Sequence, residues 1–493
     1  MFVLAVVLLI LGMGFTQAQD TNLLTVDACA PAHPFPHFWE QVFGFGRAEL
    51  VLRSSFRQDL DQMKQATDIQ YLRFHAILGD ELGVYDEDAH GQAIYNFSYV
   101  DQVYDALQEA GVRPFVEIGF MPRKLAAKDM PHPFWYKPNV SPPKDWAKWD
   151  GLMTEFIKHL VARYGEDEVN RWYFEVWNEP NLDFWGGKPK QATYWKLYDH
   201  TARALKAVCP QLRVGGPATA QAAWVDAFIR HCADEHVPAD FVSTHVYGND
   251  PVSEVLGTKE AIPRDEMVER AVQRVARELQ ESPMPRLPLI WTEYNASYLN
   301  EPSVTDSTFM GPWLANTVRQ CDGMVKFLSY WTISDVFDEQ GVVRTPSYGG
   351  YGLFAVGGIP KPAFNAFKLL HRLGTERLAL DSKSALLTRK SDGKLVLAVW
   401  NYAPSEKPGN PRCLRIHFSN VAADRARISR LDADHGDMRP AYRAMGSPRY
   451  PTQLQLQKLK SAAALGDPEL SRLRDSELTL TLPTYGLAII ELD

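Results

Sequence analysis

Several familiar signatures are missing from this 493-residue chain. It has five cysteines, Cys29, Cys209, Cys232, Cys321 and Cys413, scattered and without a CxxC pair, so zinc-site spacing is absent. It has no run of Lys or Arg, and its net charge is −8. Phosphate neutralisation needs clustered cations, so the chain is expected to be a poor nucleic-acid binder and nucleic acid is not expected as a partner. After the first dozen residues no segment offers about 20 consecutive apolar residues, the length that spans a bilayer. Gly44-Phe45-Gly46 is only a GxG, followed by Arg47-Ala48-Glu49-Leu50, and there is no GxxxxGK[ST]. Dinucleotide and P-loop phosphate cradles are therefore absent.

Aromatic residues are plentiful at 12%, with 13 Trp. Such rings serve either as core or as flat platforms for sugars and bases. Phe2 to Gly12 is almost wholly apolar and precedes Thr16-Gln17-Ala18, so residues 1–18 read as a secretory signal peptide, although no Lys or Arg leads it. This predicts a periplasmic or secreted protein, free of the membrane once the signal is cleaved.

From about residue 36 to 373, short β-type runs alternate with amphipathic helical spacings. Strands are predicted at Phe38–Phe45, Gln70–Ile77, Arg113–Phe120, Trp172–Trp177, Leu212–Gly215, Phe241–Val246, Leu287–Glu293 and Lys326–Ile333, each followed by a helix. Eight strand–helix units without a nucleotide fingerprint predict a (β/α)8 TIM barrel rather than an open sheet. Beyond residue 374 the pattern turns to strands alone: Ala385–Thr388, Leu395–Tyr402, Leu414–Phe418, Ala426–Leu431 and Leu478–Leu492, with a helical insertion at Tyr450–Leu465. Residues 374–493, together with 19–35, are assigned to an accessory β-sandwich.

Two segments carry chemistry. Trp172-Tyr-Phe-Glu-Val-Trp-Asn-Glu-Pro-Asn-Leu182 is a strand stopped by Pro180, which sets Glu179 at its carboxyl end. Leu287-Pro-Leu-Ile-Trp-Thr-Glu-Tyr-Asn295 closes on Glu293 in the same way. The carboxyl ends of barrel strands form the active face. A carboxylate ending an apolar strand costs free energy unless it is paired or at work. Two of them, on the fourth and seventh strands, suit a glycosidic bond held between them. A separation of about 5–5.5 Å makes one the nucleophile, and about 6.5–9.5 Å lets water attack directly. The acid must keep its proton near neutrality, which burial and a neighbouring carboxylate favour. Glu293 must stay ionised and needs donors, for which Tyr247 on the adjacent strand is a candidate. Glu117, inside the third strand, reads as a structural partner of Arg73. A metal site is not expected, because Pro34 and Pro36 forbid the helix that would align His33 with His37.

The chain resembles glycoside hydrolase family 39, the family of β-xylosidases and α-L-iduronidases, and its bacterial β-xylosidase branch most closely. The resemblance rests on His37-Phe-Trp-Glu-Gln-Val-Phe43, Arg73-Phe-His75, Pro114-Phe-Val-Glu-Ile-Gly-Phe-Met-Pro122, Glu175-Val-Trp-Asn-Glu-Pro-Asn181, Ser243-Thr-His-Val-Tyr247, Thr292-Glu293-Tyr294 and Tyr330-Trp-Thr-Ile-Ser-Asp-Val-Phe-Asp-Glu339. It implies a retaining exo-glycosidase acting on oligosaccharides without a cofactor, with Glu179 as acid/base and Glu293 as nucleophile. It further implies that Asn178 bonds the sugar 2-hydroxyl. His75, His245, Tyr247, Trp331 and Glu339 would line the pocket for the terminal sugar, and Phe120 would supply an aromatic wall. The chain departs from the family at Ala76, where Gly is frequent, and at Asp338-Glu339, where Glu-Glu is frequent. The leading expectation is removal of terminal β-linked xylose. The alternatives are a relative acting on uronic acid or arabinose-containing ends, for which Arg123 and Lys124 would be the cations, and a binding protein without catalysis. Oligomeric state is not set by the sequence.

Overall fold

The computed structural model describes residues 22–341, 343, 345–405, 407 and 409–493. The signal-peptide reading of residues 1–18 lies outside them. Eight parallel strands close into a barrel in sequential order. They are β1 (Val42–Arg47), β2 (Tyr71–His75), β3 (Arg113–Ile118), β4 (Tyr173–Val176), β5 (Arg213–Thr219), β6 (Phe241–Tyr247), β7 (Leu289–Asn295) and β8 (Phe327–Tyr330). The outer helices are α1 (Ser54–Ala66), α2 (Ser98–Glu109), α3 (Trp146–Tyr164), α4 (Lys190–Val208), α5 (Val225–Asp234), α6 (Arg264–Gln280), α7 (Met310–Cys321) and α8 (Pro362–Leu370). Among the described residues no helix is long and apolar enough to cross a membrane.

The strands read as nearly continuous apolar runs because barrel strands are buried on both faces. Their period of two then sorts side chains inward and outward. The inward side chains at the start of the strands, Val42, Tyr71, Phe115, Tyr173, Phe241, Ile290 and Phe327, form an apolar plug at the floor. Two residues further along, the inward positions turn small or charged: Gly44, Arg73, Glu117, Glu175 and Gly215. The plug seals the floor, and the polar layer above it supports the mouth.

The accessory domain has two sheets. Asn22–Asp27, Arg412–Ser419 and Glu477–Leu482 form one of three strands. The other runs, in order, Ala32–Pro34, Glu376–Leu378, Ala385–Arg389, Leu395–Trp400, Leu487–Leu492, Arg425–Leu431 and Glu469–Arg472. Leu478–Leu492, read as one strand from sequence, is two, separated by a turn in which Gly486 N donates to Pro483 O at 2.9 Å. The helical insertion is Gln453–Ala462, opened by a capping box between Thr452 and Gln455. Alternation decides what each face of the larger sheet covers. Leu387, Leu397, Val399 and Ile490 face the smaller sheet. Leu386, Val396, Ala398, Trp400, Leu487 and Ile489 join the core shared with the barrel helices. Cys209, Cys232 and Cys321 are buried, Cys29 is exposed and Cys413 is half-buried.

Candidate active site

At the carboxyl end of the barrel a cavity of about 320 Å³ is bounded by residues that include His75, Asn178, Glu179, Tyr247, Glu293, Trp331 and Glu339. Its base is Arg73, fully buried on β2. The guanidinium donates to Glu175 Oε2 (2.6 Å), Glu293 Oε1 (2.8 Å) and Asn178 Oδ1 (2.9 Å), and pairs with Glu117 Oε2 at 2.8 Å. A charge this deep persists only when each donor is satisfied. Occupying Asn178 Oδ1 leaves the Asn178 amide nitrogen as that side chain's donor in the cavity.

Glu179 follows β4 in the left-handed region, φ +45°, with Trp177 at φ +71°. The strained turn lifts Glu179 off the strand. Its backbone N–H is tied to Ala218 O at 2.8 Å. Glu293 lies inside β7, and a bulge decides where it points. Thr244 pairs with Trp291 and His245 with Glu293, so Thr292 is the extra residue. Successive side chains of Thr292 and Glu293 both turn into the barrel as a result. Tyr247 donates its hydroxyl to Glu293 Oε2 at 2.8 Å. A carboxylate oxygen of Glu179 and one of Glu293 lie within 4.8 Å of each other.

The two carboxyl groups are held in opposite states. Burial, then the charges of Glu293 and Asp250, raise Glu179 well above the ordinary carboxylate range. Burial also opposes ionisation of Glu293, but the charges of Arg73 and His75 and the Tyr247 hydroxyl outweigh it and hold the group below that range. Burial beside Arg73 and His75 pushes His245 down to about 3, so it is neutral at neutral pH, and Arg73 is the standing charge that keeps Glu293 ionised. Hydrogen-bond accounting agrees. Thr292 Oγ1 donates to Glu175 Oε1 at 2.8 Å, so it must accept from His245 Nε2–H at 3.0 Å. His245 Nδ1 then carries a lone pair, and its 3.0 Å contact with Glu179 Oε1 requires the proton to be on Glu179.

His75 is in the converse state. Burial opposes its charge, but Glu117 (2.6 Å from Nδ1) and Glu339 (3.4 Å from Nε2) raise it to about 10. Burial moves Glu339 up to about 7 against the pull of His75. Trp331 packs on His75, ring centroids 4.7 Å apart, while its neighbour Tyr330 is in the core against Phe367.

Phe120 is not part of the cavity wall. It follows the end of β3 and is buried, packing on Trp177 and His132 with ring centroids 5.4 and 5.0 Å away. Phe134 and Phe184 supply the aromatic surface instead. His245 sits beneath the two carboxyl groups rather than on the cavity surface. Leu182, Gln221, Asp250, Tyr298 and Tyr351 also bound the cavity. They come from the segments that follow the strands, where no periodicity marks them. Arg123 and Lys124 line a separate depression and pair with Asp80 and Asp86. Among the described residues bounding the cavity none is Lys or Arg.

Two groups, His37–Glu40–His371 and Glu179–His245–Glu293, bring donor atoms close enough for a metal ion. In each the atoms already bond one another. Arg73 against Glu293 also opposes a divalent cation in the second.

A model of glycosyl hydrolases family 39 matches residues 22–471. The chain belongs to that family. It is a glycoside hydrolase. It is 36% identical over 476 residues to a β-xylosidase of Geobacillus stearothermophilus, covering 93% of each chain. It is 33% identical over 465 residues to a β-xylosidase of Caldicellulosiruptor saccharolyticus, covering 92% of this chain and 94% of the other. Among solved structures it superposes on a monomeric β-xylosidase from Caulobacter crescentus CB15 with a TM-score of 0.87 at 33% identity, covering 96% and 99% of the two chains.

Proposed function

We propose that this glycoside hydrolase is an exported, retaining exo-β-xylosidase that removes terminal xylose from xylo-oligosaccharides. The supporting observation is the pair of carboxyl groups within 4.8 Å in opposite protonation states, a separation on the retaining side of about 5–5.5 Å versus 6.5–9.5 Å. A Glu293 oxygen attacks the anomeric carbon. The glycosidic C–O bond breaks, and Glu179 gives its proton to the departing oxygen. The intermediate is a glycosyl ester of Glu293, whose charge is gone, so the pKa of Glu179 falls and its carboxylate can accept a proton. Water then attacks the anomeric carbon, passes a proton to Glu179 and frees Glu293. Arg73 and the Tyr247 hydroxyl keep the nucleophile ionised and oriented. Asn178 is the donor for the sugar 2-hydroxyl, and Trp331, Glu339 and His75 enclose the rest of the ring. No step needs a metal or cofactor.

A neutral pentose suits the lining. A uronate needs a cation for its carboxylate, whereas this cavity is bounded by Glu179, Glu293, Glu339 and Asp250, with His75 already committed to Glu117 and Glu339. The export reading rests on the apolar stretch Phe2 to Gly12 and is checked by N-terminal sequencing of the mature protein.

The deciding measurement compares p-nitrophenyl β-xyloside, α-arabinoside and α-iduronide side by side, with the anomer first released read by NMR. β-Xylose should dominate. Glu293→Gln should abolish turnover. Glu179→Ala should spare the first step on activated aryl xylosides, and azide should restore the second. Inverted product, or turnover unchanged by Glu293→Gln, refutes the reading.

A further inference from the structure

The acid that protonates a glycosidic oxygen stands beside the group that leaves. Glu179 lies past the end of β4, so the departing sugar belongs on the side of the cavity built by the loops after β4, β5 and β6. Leu182, Phe184, Ala220, Gln221 and Asp250 bound that side. Gln221 and Asp250 are its two polar residues; neither touches the reacting atoms in the cleavage described above, although the Asp250 charge helps to raise Glu179.

Both are held in place. Gln221 has φ +60°, and Ala222 and Trp224 also have positive φ at +52° and +62°. Three side-chain-bearing residues in the left-handed region within four positions persist only where their surroundings fix them. Asn181 supplies this constraint from the Glu179 turn itself. Its Oδ1 accepts from Ala220 N at 3.0 Å, and its Nδ2 donates to Ala220 O at 3.1 Å. Arg274 donates to Ala222 O from behind. The loop and the acid are thus one fastened unit, with the half-buried Gln221 amide making no hydrogen bond to a described residue. Asp250 is 8% exposed. One of its oxygens accepts from Tyr247 N at 2.7 Å, and the other has no described partner. A strained, anchored loop that brings an amide without a described partner to the same cavity as a carboxylate oxygen without one is suited to receive hydroxyl groups.

We propose that Gln221 and Asp250 are the specificity-determining pair for the leaving sugar, bonding hydroxyls of the residue next to the cleaved xylose and so favouring xylo-oligosaccharides over aryl xylosides. This rests on the retaining β-xylosidase reading. The same pair must then seat acceptors when a sugar replaces water in the second step. There Glu179 takes the acceptor's proton, the new C–O bond forms at the anomeric carbon, and the ester to Glu293 breaks.

The test uses the full-length enzyme and the variants Gln221→Ala and Asp250→Asn, each at its own pH optimum. Two quantities are read: the ratio of kcat/KM for xylobiose to that for p-nitrophenyl β-xyloside, and the partition of the glycosyl-enzyme between water and added xylose. Each variant should lower the first ratio about tenfold and shift partition toward water. Equal losses on both substrates, or an unchanged ratio and partition, overturn the assignment. Gln221→Ala carries the test if Asp250→Asn fails to fold. If the wild type cleaves neither xyloside, the parent reading falls and this one with it. If it cleaves both and only the ratio fails to move, this inference alone falls.

Discussion

Arg73 touches three carboxylates and an amide at once, so its loss is costly to the fold. Arg73→Met would leave the buried Glu117, Glu175 and Glu293 without their shared cation, and should destabilise the protein by about 3–5 kcal/mol, read by denaturant melts. Tyr247→Phe is gentler. It removes one donor from Glu293, which favours the neutral carboxyl and raises its pKa. The acid limb of the kcat/KM–pH profile should move to higher pH, and the rate should fall about 10- to 100-fold. The alkaline limb belongs to the other group, since activity is lost as Glu179 gives up its proton. With activated aryl xylosides, Glu179→Gln should flatten that limb. At this scale the sequence is legible where a polar residue interrupts an apolar strand: Arg73, Glu117, Glu179 and Glu293 all announce themselves. Thr292 does not. Strict alternation cannot place it and Glu293 on one side, and the bulge that does so leaves no mark in composition. Phe120 misleads because it lies past the end of β3, where the two-residue period no longer fixes which way a side chain turns.

Elements fit one another through a few unforgiving contacts. Gly44 on β1 faces Trp331 closely enough that a Cβ there would lie 2.3 Å from the indole. Gly44→Ala must therefore push Trp331 from its seat in the cavity wall. It should cost about 1–3 kcal/mol of stability and reduce kcat/KM, read by melting and kinetics together. Asp59 joins α1 to the loop after β8, accepting from Ser334 Oγ at 2.6 Å. Burial raises it to about 7. Its folded pKa exceeds its unfolded one, so its contribution to stability is complete below about 3.8 and lost as pH rises through 7. Asp59→Asn should raise Tm by on the order of a few degrees above pH 7, with the gain shrinking toward pH 4. The eight strand–helix units are readable from period and apolar runs, because each strand is buried on both faces and most helices on one, α7 and α8 being buried nearly all round. Strand ends shifted by a few residues. Helix Gln453–Ala462 carried its own signal in Thr452 and Gln455. The cavity loops carried none, since side chains such as Phe134 and Tyr351 reach the site through tertiary packing.

For the molecule as a whole, the two cores meet across one sheet. Leu386, Val396, Trp400 and Leu487 continue the core that includes Phe309 and Leu314 of the barrel's outer layer. A fragment of residues 36–373 would expose that layer, and should be insoluble or melt well below the full chain in calorimetry. The change from mixed to all-strand patterning near residue 374 is visible in sequence, whereas the shared core depends on which parity of each strand faces the barrel. The first described strand has a longer reach. Asn22–Asp27 lies parallel to Arg412–Ser419, and Ser419 Oγ meets Val26 O across 393 positions. A ribosome therefore delivers this strand long before its neighbour exists. The segment has to wait, unpaired, while the catalytic half takes shape beside it. Docking it is a late event in maturation, and slow protection of its amides from deuterium during refolding would record that order.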